Sequence, residues 1–173
     1  MKLIKPKFWI NKTLISYILY PLTTITYLLN IVKSLSKKKE FKIQTICIGN
    51  ITAGGTGKTT LAIELSNLLK KKLKFVFIKK NYFNQIDEIN LLKKNGPIIS
   101  YDERLVSLDA AVKKKFQVAI LDDGLQQKNI KYRLKIACFN SEEGLGNGFL
   151  IPAGPLRESL SEIKNYEVAF LIG

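Results

Sequence analysis

A chain of 173 residues can bury one α/β core with an appendage and is too short for a large two-domain enzyme. Its 28 lysines and arginines against 14 acids leave a formal charge of +14, which favours polyanionic company: nucleotide phosphate, nucleic acid or an acidic membrane surface. There is no histidine, which excludes imidazole metal sites and a histidine base and leaves proton abstraction to a carboxylate, a lysine or water.

The first element is a 19-residue uncharged run from Leu14 to Val32, interrupted by Pro21 and carrying Ser16, Thr23, Thr24, Thr26 and Asn30. As a helix it would be roughly 28 Å long, near the thickness of a bilayer core, so its length allows it to span a membrane or to lie along one. Pro21 predicts a kink, and the threonines lower the hydrophobicity of the run. Lysines flank both ends (Lys2, Lys5, Lys7 and Lys12 before it; Lys33, Lys37, Lys38 and Lys39 after it), so no one-sided bias fixes an orientation. The run exceeds a signal-peptide core, and no small-x-small cleavage pattern follows it. Residues 1–40 therefore divide off as a membrane-associating helix with a basic linker, and residues 41–173 as a nucleotide-binding domain.

The second element is a strand through Ile43, Ile46, Cys47 and Ile48. It runs through Gly49, Asn50 and Ile51 into the loop Thr52-Ala53-Gly54-Gly55-Thr56-Gly57-Lys58-Thr59-Thr60, and then into a helix with Leu61, Leu65, Leu68 and Leu69 at helical spacing. A glycine-rich strand-to-helix turn ending in Gly-Lys-Thr lets backbone N–H groups close around phosphate oxygens. Lys58 is placed to reach the β- and γ-phosphates of ATP, and the Thr59 hydroxyl to ligate Mg²⁺. The pattern departs from the usual phosphate loop in having Thr52 where a glycine is expected, and Gly54 and Gly55 supply the flexibility instead.

Further along, Leu73 to Ile78 reads as a strand, Ile86 to Lys94 as a short helix, Pro97 to Ser100 as a strand, and Arg104 to about Lys115 as a helix. Strands follow at Gln117 to Leu121, Leu134 to Phe139 and Glu167 to Ile172. Strands alternating with helices give a P-loop type α/β fold, a mainly parallel sheet with flanking helices. Cys47 and Cys138 fall in apolar strands without a C-x-x-C spacing and read as reduced core residues.

Two carboxylates, Asp122 and Asp123, stand where the apolar run Val118 to Leu121 ends. In a parallel sheet that end shares an edge with the phosphate loop, so either acid can approach a metal ion held by Thr59. Asp87-Glu88 and Asp102-Glu103 are acceptor-side candidates, and on residue type alone they are equally good helix-capping acids. The segment from Gly144 to Glu158 is too rich in glycine and proline to continue as a helix or strand. Its last charges, Arg157 and Glu158, are placed for a phosphate and for a metal or sugar hydroxyl.

Together Gly49-Asn50-Ile51-Thr52, Gly54 to Thr59, Asp122-Asp123-Gly124-Leu125-Gln126, Gly146-Asn147-Gly148 and Pro152-Ala153-Gly154-Pro155-Leu156-Arg157-Glu158 resemble the tetraacyldisaccharide 4'-kinase family. Pro6, Phe8 and Trp9, with Leu19 to Leu22 and Tyr27, resemble that family's membrane-associating first helix. The resemblance implies transfer of the ATP γ-phosphate to the 4'-hydroxyl of an acylated glucosamine disaccharide 1-phosphate at the cytoplasmic face of the bacterial inner membrane. It gives Asn50 and Arg157 substrate-binding roles and makes Asp87 the acceptor-side base, aligned as Ile86-Asp87-Glu88 with the family's Gly-Asp-Glu. Lys58, Asp122 and Asp123 complete the catalytic set, and Thr59, Asp122, Asp123 and Glu158 the metal set.

The chain departs from the family in several places. Lys79-Lys80-Asn81-Tyr82-Phe83-Asn84 stands where the family has Ser-Arg-Gly-Tyr-Gly-Gly, and Gln127 where a histidine is usual. The resemblance covers the family's N-terminal portion only, so a complementing C-terminal polypeptide is one expectation. A homologue that binds ATP without transferring phosphate is another. A membrane-associated P-loop switch is the alternative of a different class, although Ala53 stands where such proteins carry a lysine. Nucleic acid is not expected, because no basic face interleaved with aromatics is evident.

Overall fold

The computed structural model describes residues 5–82 and 85–173. Lys2, and Phe83 and Asn84 of the Lys79 to Asn84 segment, lie outside the described residues.

In chain order the elements are α1 (Leu14–Leu19), α2 (Thr23–Ser34), β1 (Gln44–Gly49), α3 (Lys58–Leu69), β2 (Phe75–Ile78), α4 (Ile86–Asn95), β3 (Ile98–Ile99), α5 (Arg104–Lys113), β4 (Val118–Asp122), β5 (Leu134–Asn140) and β6 (Val168–Ile172). The six strands form one sheet in the order β3-β2-β4-β1-β5-β6, with every neighbouring pair parallel. Alternation along β4 explains why a short apolar run suffices to seal both faces. Ala119 and Leu121 pack with Cys47, Val76, Ile78 and Leu108 on the α5 side. Val118 and Ile120 pack with Ile48, Phe75, Phe77 and Leu92 on the side of α3 and α4. Burial raises the Cys47 thiol to about 12 and that of Cys138 to about 11, so both are protonated core residues rather than nucleophiles.

The α5 helix ends two residues earlier than its apolar pattern. Lys115 adopts a left-handed conformation (φ 57°), and the N–H groups of Lys115 and Phe116 donate to the carbonyls of Val112 and Ala111. That is a Schellman stop made with lysine where glycine is usual, and it turns the chain directly into β4.

Pro21 breaks the first helix as expected, leaving a short 3-10 turn at Tyr20–Leu22 between α1 and α2. Except for the exposed Thr24, the polar residues of this run face the domain. Thr23 is buried, the Thr26 hydroxyl donates to the Ile151 carbonyl at 2.6 Å, and the Asn30 amide donates to the Arg157 carbonyl at 2.9 Å. Leu14, Ile18, Ile25, Leu29 and Val32 are left exposed. This inverts the usual amphipathic arrangement, in which the apolar stripe is the one that packs.

Candidate active site

Because the sheet is parallel, the C-terminal ends of β1, β2, β4 and β5 open on one edge, and the phosphate loop leaves β1 there. Gly57 caps α3 in a left-handed conformation (φ 67°), which starts the helix at Lys58, so Lys58, Thr59 and Thr60 form its first turn. The loop is held from below by Asn50, which is fully buried. Its amide donates to the carbonyls of Thr52 (2.6 Å) and Gly54 (3.1 Å). A second strap comes from the proline-rich segment: Ala53 N–H donates to the Pro155 carbonyl and Arg157 N–H to the Ile51 carbonyl, each at 2.7 Å. Asn50 thus shapes the loop from beneath, a role that the substrate-binding reading did not contain.

Asp122 is the last residue of β4 and is completely buried. Its Oδ2 accepts from the Thr59 hydroxyl at 3.0 Å and from the Lys79 ammonium at 2.6 Å. Lys79 continues to Glu88 Oε2 at 2.5 Å. Burial alone would push the Lys79 ammonium down, but Asp122 and Glu88 outweigh it and hold it above the usual lysine value. Asp123 has a left-handed backbone (φ 60°) and points the other way. Its Oδ1 accepts from Arg157 Nη1 at 2.9 Å and lies 3.8 Å from Lys58 Nζ. Burial raises the Asp123 carboxyl, yet Lys58 and Arg157 prevail and keep it below the ordinary carboxylate range.

The structure therefore brings Lys58, Thr59, Asp122, Asp123, Arg157 and Asn50 into one cluster, the last two joined by Arg157 Nη1 to Asn50 Oδ1 at 3.2 Å. Thr52 and Thr56 are buried, Gly55 and Thr60 exposed, and Ala53, Gly54 and Gly57 intermediate. Asp87 is exposed in the first turn of α4, and its neighbour Glu88 is the acid that reaches Lys79.

Glu158 is elsewhere. Its Oε2 takes Lys128 Nζ at 3.1 Å and the Tyr166 hydroxyl at 2.5 Å, and its side chain is buried among them. No contact joins Glu158 to Thr59 or Asp122 among the described residues: one carboxylate oxygen is held by Lys128 and Tyr166, and the other, Oε1, is buried without a partner. Arg157 instead turns to Asp123 and Asn50, so in this structure the two neighbouring charges take different partners.

Two residues that hold this geometry had a place in the sequence reading and no role there: Asn147 within the Gly146-Asn147-Gly148 motif, and Lys79. Lys79 stood there as the first residue of the segment that departs from the family's Ser-Arg-Gly-Tyr-Gly-Gly, directly after an apolar run. Asn147 ties the site's supports together: its amide donates to the carbonyls of Phe8 (2.7 Å) and Ala153 (2.8 Å), and its Oδ1 accepts from Phe149 N–H (2.9 Å). A side chain at Gly154 would place its Cβ 2.1 Å from Asn147 Oδ1, which explains the glycine there.

The donor set fits a divalent cation. Among the described residues Asp122 Oδ1 is buried without a partner, and the Thr59 hydroxyl sits on the other oxygen of the same carboxylate. Two clefts flank the loop. One, about 560 Å³, is lined by Lys33, Lys80, Arg104, Asp123, Lys128 and Arg157. The other, about 600 Å³, lies over Gly54 and Gly55 and is walled by Trp9, Ile10 and Asn140.

A phosphate loop on β1, an acid at the end of the neighbouring β4 and flanking helices define an α/β protein of the P-loop class. The chain belongs to the tetraacyldisaccharide-1-P 4'-kinase (LpxK) family, whose model matches residues 14–172. It is 49% identical to the tetraacyldisaccharide 4'-kinase of Pelagibacter ubique (strain HTCC1062) over the whole of this chain and 56% of that protein. It is 32% identical to the enzyme of the same name from Rickettsia bellii (strain OSU 85-389), again over all of this chain and 60% of the relative. The chain thus spans little more than half the length of these relatives. The "apo" form LpxK from Aquifex aeolicus, solved in complex with ATP, shares the fold, with a TM-score of 0.78 and 24% identity over 90% of this chain and 58% of that one.

Proposed function

We propose that this chain binds Mg-ATP and forms the phosphoryl-transfer half of a lipid A 4'-kinase, acting on an acylated disaccharide 1-phosphate at the cytoplasmic face of a bacterial inner membrane. The observation that carries this reading is the convergence of Lys58, Thr59, Asp122, Asp123 and Arg157 at one sheet edge, in a chain of this family. The loop from Thr52 to Thr60 would cradle the phosphates, and the cleft walled by Trp9, Ile10 and Asn140 offers an apolar wall and an amide to the base. Thr59 and Asp122 would hold Mg²⁺, which would supply neutralisation of the charge that develops on the transferred phosphoryl group. The basic cleft suits the anionic sugar of the acceptor, with Arg157 held in place by Asp123 and Asn50. Asp87, exposed at the start of α4, is proposed as the acceptor-side base.

The exposed apolar face of α1 and α2 would rest in the lipid surface, bringing the active-site edge to a substrate whose acyl chains stay in the bilayer. Lys33 lines the basic cleft as well as ending α2, so the same cation serves the membrane face and the acceptor site.

The test is transfer of labelled γ-phosphate from Mg-ATP to detergent-dispersed disaccharide 1-phosphate. Wild type is expected to give product and Lys58→Ala none. Asp87→Asn is expected to lose about 10²–10⁴-fold in transfer, the usual worth of a general base, while keeping wild-type ATP binding. Folded wild-type protein that binds ATP and transfers nothing would refute the claim that this portion suffices. The rest of the enzyme would then be sought on a complementing polypeptide, for which the outer edge of β6, with exposed Phe170 on one side of the sheet and Leu171 on the other, offers a contact. Equal transfer by Lys58→Ala would overturn the P-loop reading itself.

A further inference from the structure

Lys79 follows β2 without a break, so its side chain enters the site along the same sheet edge as the acids. Ile78 pairs with Leu121, and the next residue on each strand is Lys79 and Asp122. The Lys79 ammonium is nearly sealed from solvent and bridges two carboxylates: fully buried Asp122 at 2.6 Å and half-exposed Glu88 at 2.5 Å. The Asp122 oxygen that it takes is the one that also accepts the Thr59 hydroxyl. A positive charge therefore already sits on the carboxylate that a divalent cation would use, on the oxygen shared with the Thr59 hydroxyl and beside the unpartnered Oδ1. Left bare, a carboxylate this deeply buried would be strongly destabilising, and the ammonium removes that cost in a protein without metal.

We propose that Lys79 is a tethered cation standing in for the divalent metal: it neutralises Asp122 in the nucleotide-free protein and must give up that contact, keeping Glu88, when a metal ion enters. Glu88 lies on the solvent side of the ammonium, so it offers an anchor toward which the flexible lysine stem can swing. Divalent affinity is then set by competition with a covalently attached rival, and is weaker than the same acids would give alone. Lys79 acts through Asp122 and is a positioning residue. The proposal rests on the nucleotide-site reading only for the identity of what displaces it.

A purely structural ion pair and a metal stand-in respond differently to magnesium. If Lys79 is only structural, its removal lowers stability and Mg²⁺ does not restore it. If it is a stand-in, Mg²⁺ does. The experiment measures the melting temperature of the full chain through a MgCl₂ titration without nucleotide, for wild type and Lys79→Met, with NaCl at matched ionic strength as the screening control. Lys79→Met is expected to melt lower than wild type without Mg²⁺. It should recover most of the difference as MgCl₂ rises, with a half-maximal effect at several-fold lower Mg²⁺ than any wild-type response. Lys79→Gln, which keeps a donor for Asp122 without the charge, is read in the same way should Lys79→Met not be recovered folded. Equal Mg²⁺ responses in wild type and variant, or recovery reproduced by NaCl, would overturn the proposal. Because no nucleotide is present, failure of the kinase reading would leave this result standing, and the converse also holds.

Discussion

Asp122→Ala is expected to unfold about 3 kcal/mol more easily than wild type in urea and to bind ATP with no remaining dependence on Mg²⁺. The stability figure is the lower end of the ~3–5 kcal/mol range for breaking a buried ion pair from one side. The lower end applies because Lys79 keeps a second partner in Glu88, whose exposure lets water share the ammonium. The Thr59 hydroxyl also loses its acceptor, which adds to the loss without leaving a charge unpaired. Asp123→Ala makes the contrasting case. Asp123 is partly open to solvent and its partners Lys58 and Arg157 line the site, so its loss should register in transfer far more than in the urea midpoint. Paired urea titrations of the two variants, with ATP binding followed at several Mg²⁺ concentrations, separate the roles. An unchanged midpoint in Asp122→Ala would show that the Asp122–Lys79 contact carries no stability.

The phosphate loop was legible in the sequence because its chemistry is local: Gly57, Lys58 and Thr59 are neighbours, and the apolar run before them fixes the strand. Asp122 and Asp123 could be placed near it because parallel strands share an edge, which requires only that the class of sheet be right. Lys79 required more. Its burial follows from the register that sets Ile78 beside Leu121, a pairing between residues forty-three apart that no local pattern encodes. The usable signal was a lysine continuing an apolar strand at the edge where the acids emerge. The partners of Glu158 were equally out of local reach: Lys128 and Tyr166 come from separate stretches of chain, and nothing in the Arg157-Glu158 pair names them. The threonines of the first helix were read as diluting its hydrophobicity, and the fold uses Thr23 and Thr26, with Asn30, as the packed stripe.

That stripe bears on how the chain meets a membrane. Ile18→Asp with Leu29→Asp is expected to reduce binding to vesicles by two orders of magnitude or more, since each aliphatic side chain contributes about 1.5–3 kcal/mol when fully taken from water. Both residues are exposed, so the fold itself should survive, and circular dichroism would check that. Anionic vesicles should be preferred over neutral ones, with Lys33, Lys37, Lys38 and Lys39 adding up to about 1 kcal/mol each, and salt should erase that preference. Asn30→Leu then distinguishes a helix that lies on the surface from one that spans. A spanning helix would gain from losing an amide in its apolar run, and vesicle binding would tighten. A helix lying on the surface uses Asn30 to hold the Arg157 carbonyl, so the substitution should leave vesicle binding unchanged and slow transfer by loosening the arginine that Asp123 and Asn50 position. Tighter binding with undiminished transfer would show that the hydrogen bonds to the domain are given up in the membrane, and that the helix leaves the domain to cross the bilayer.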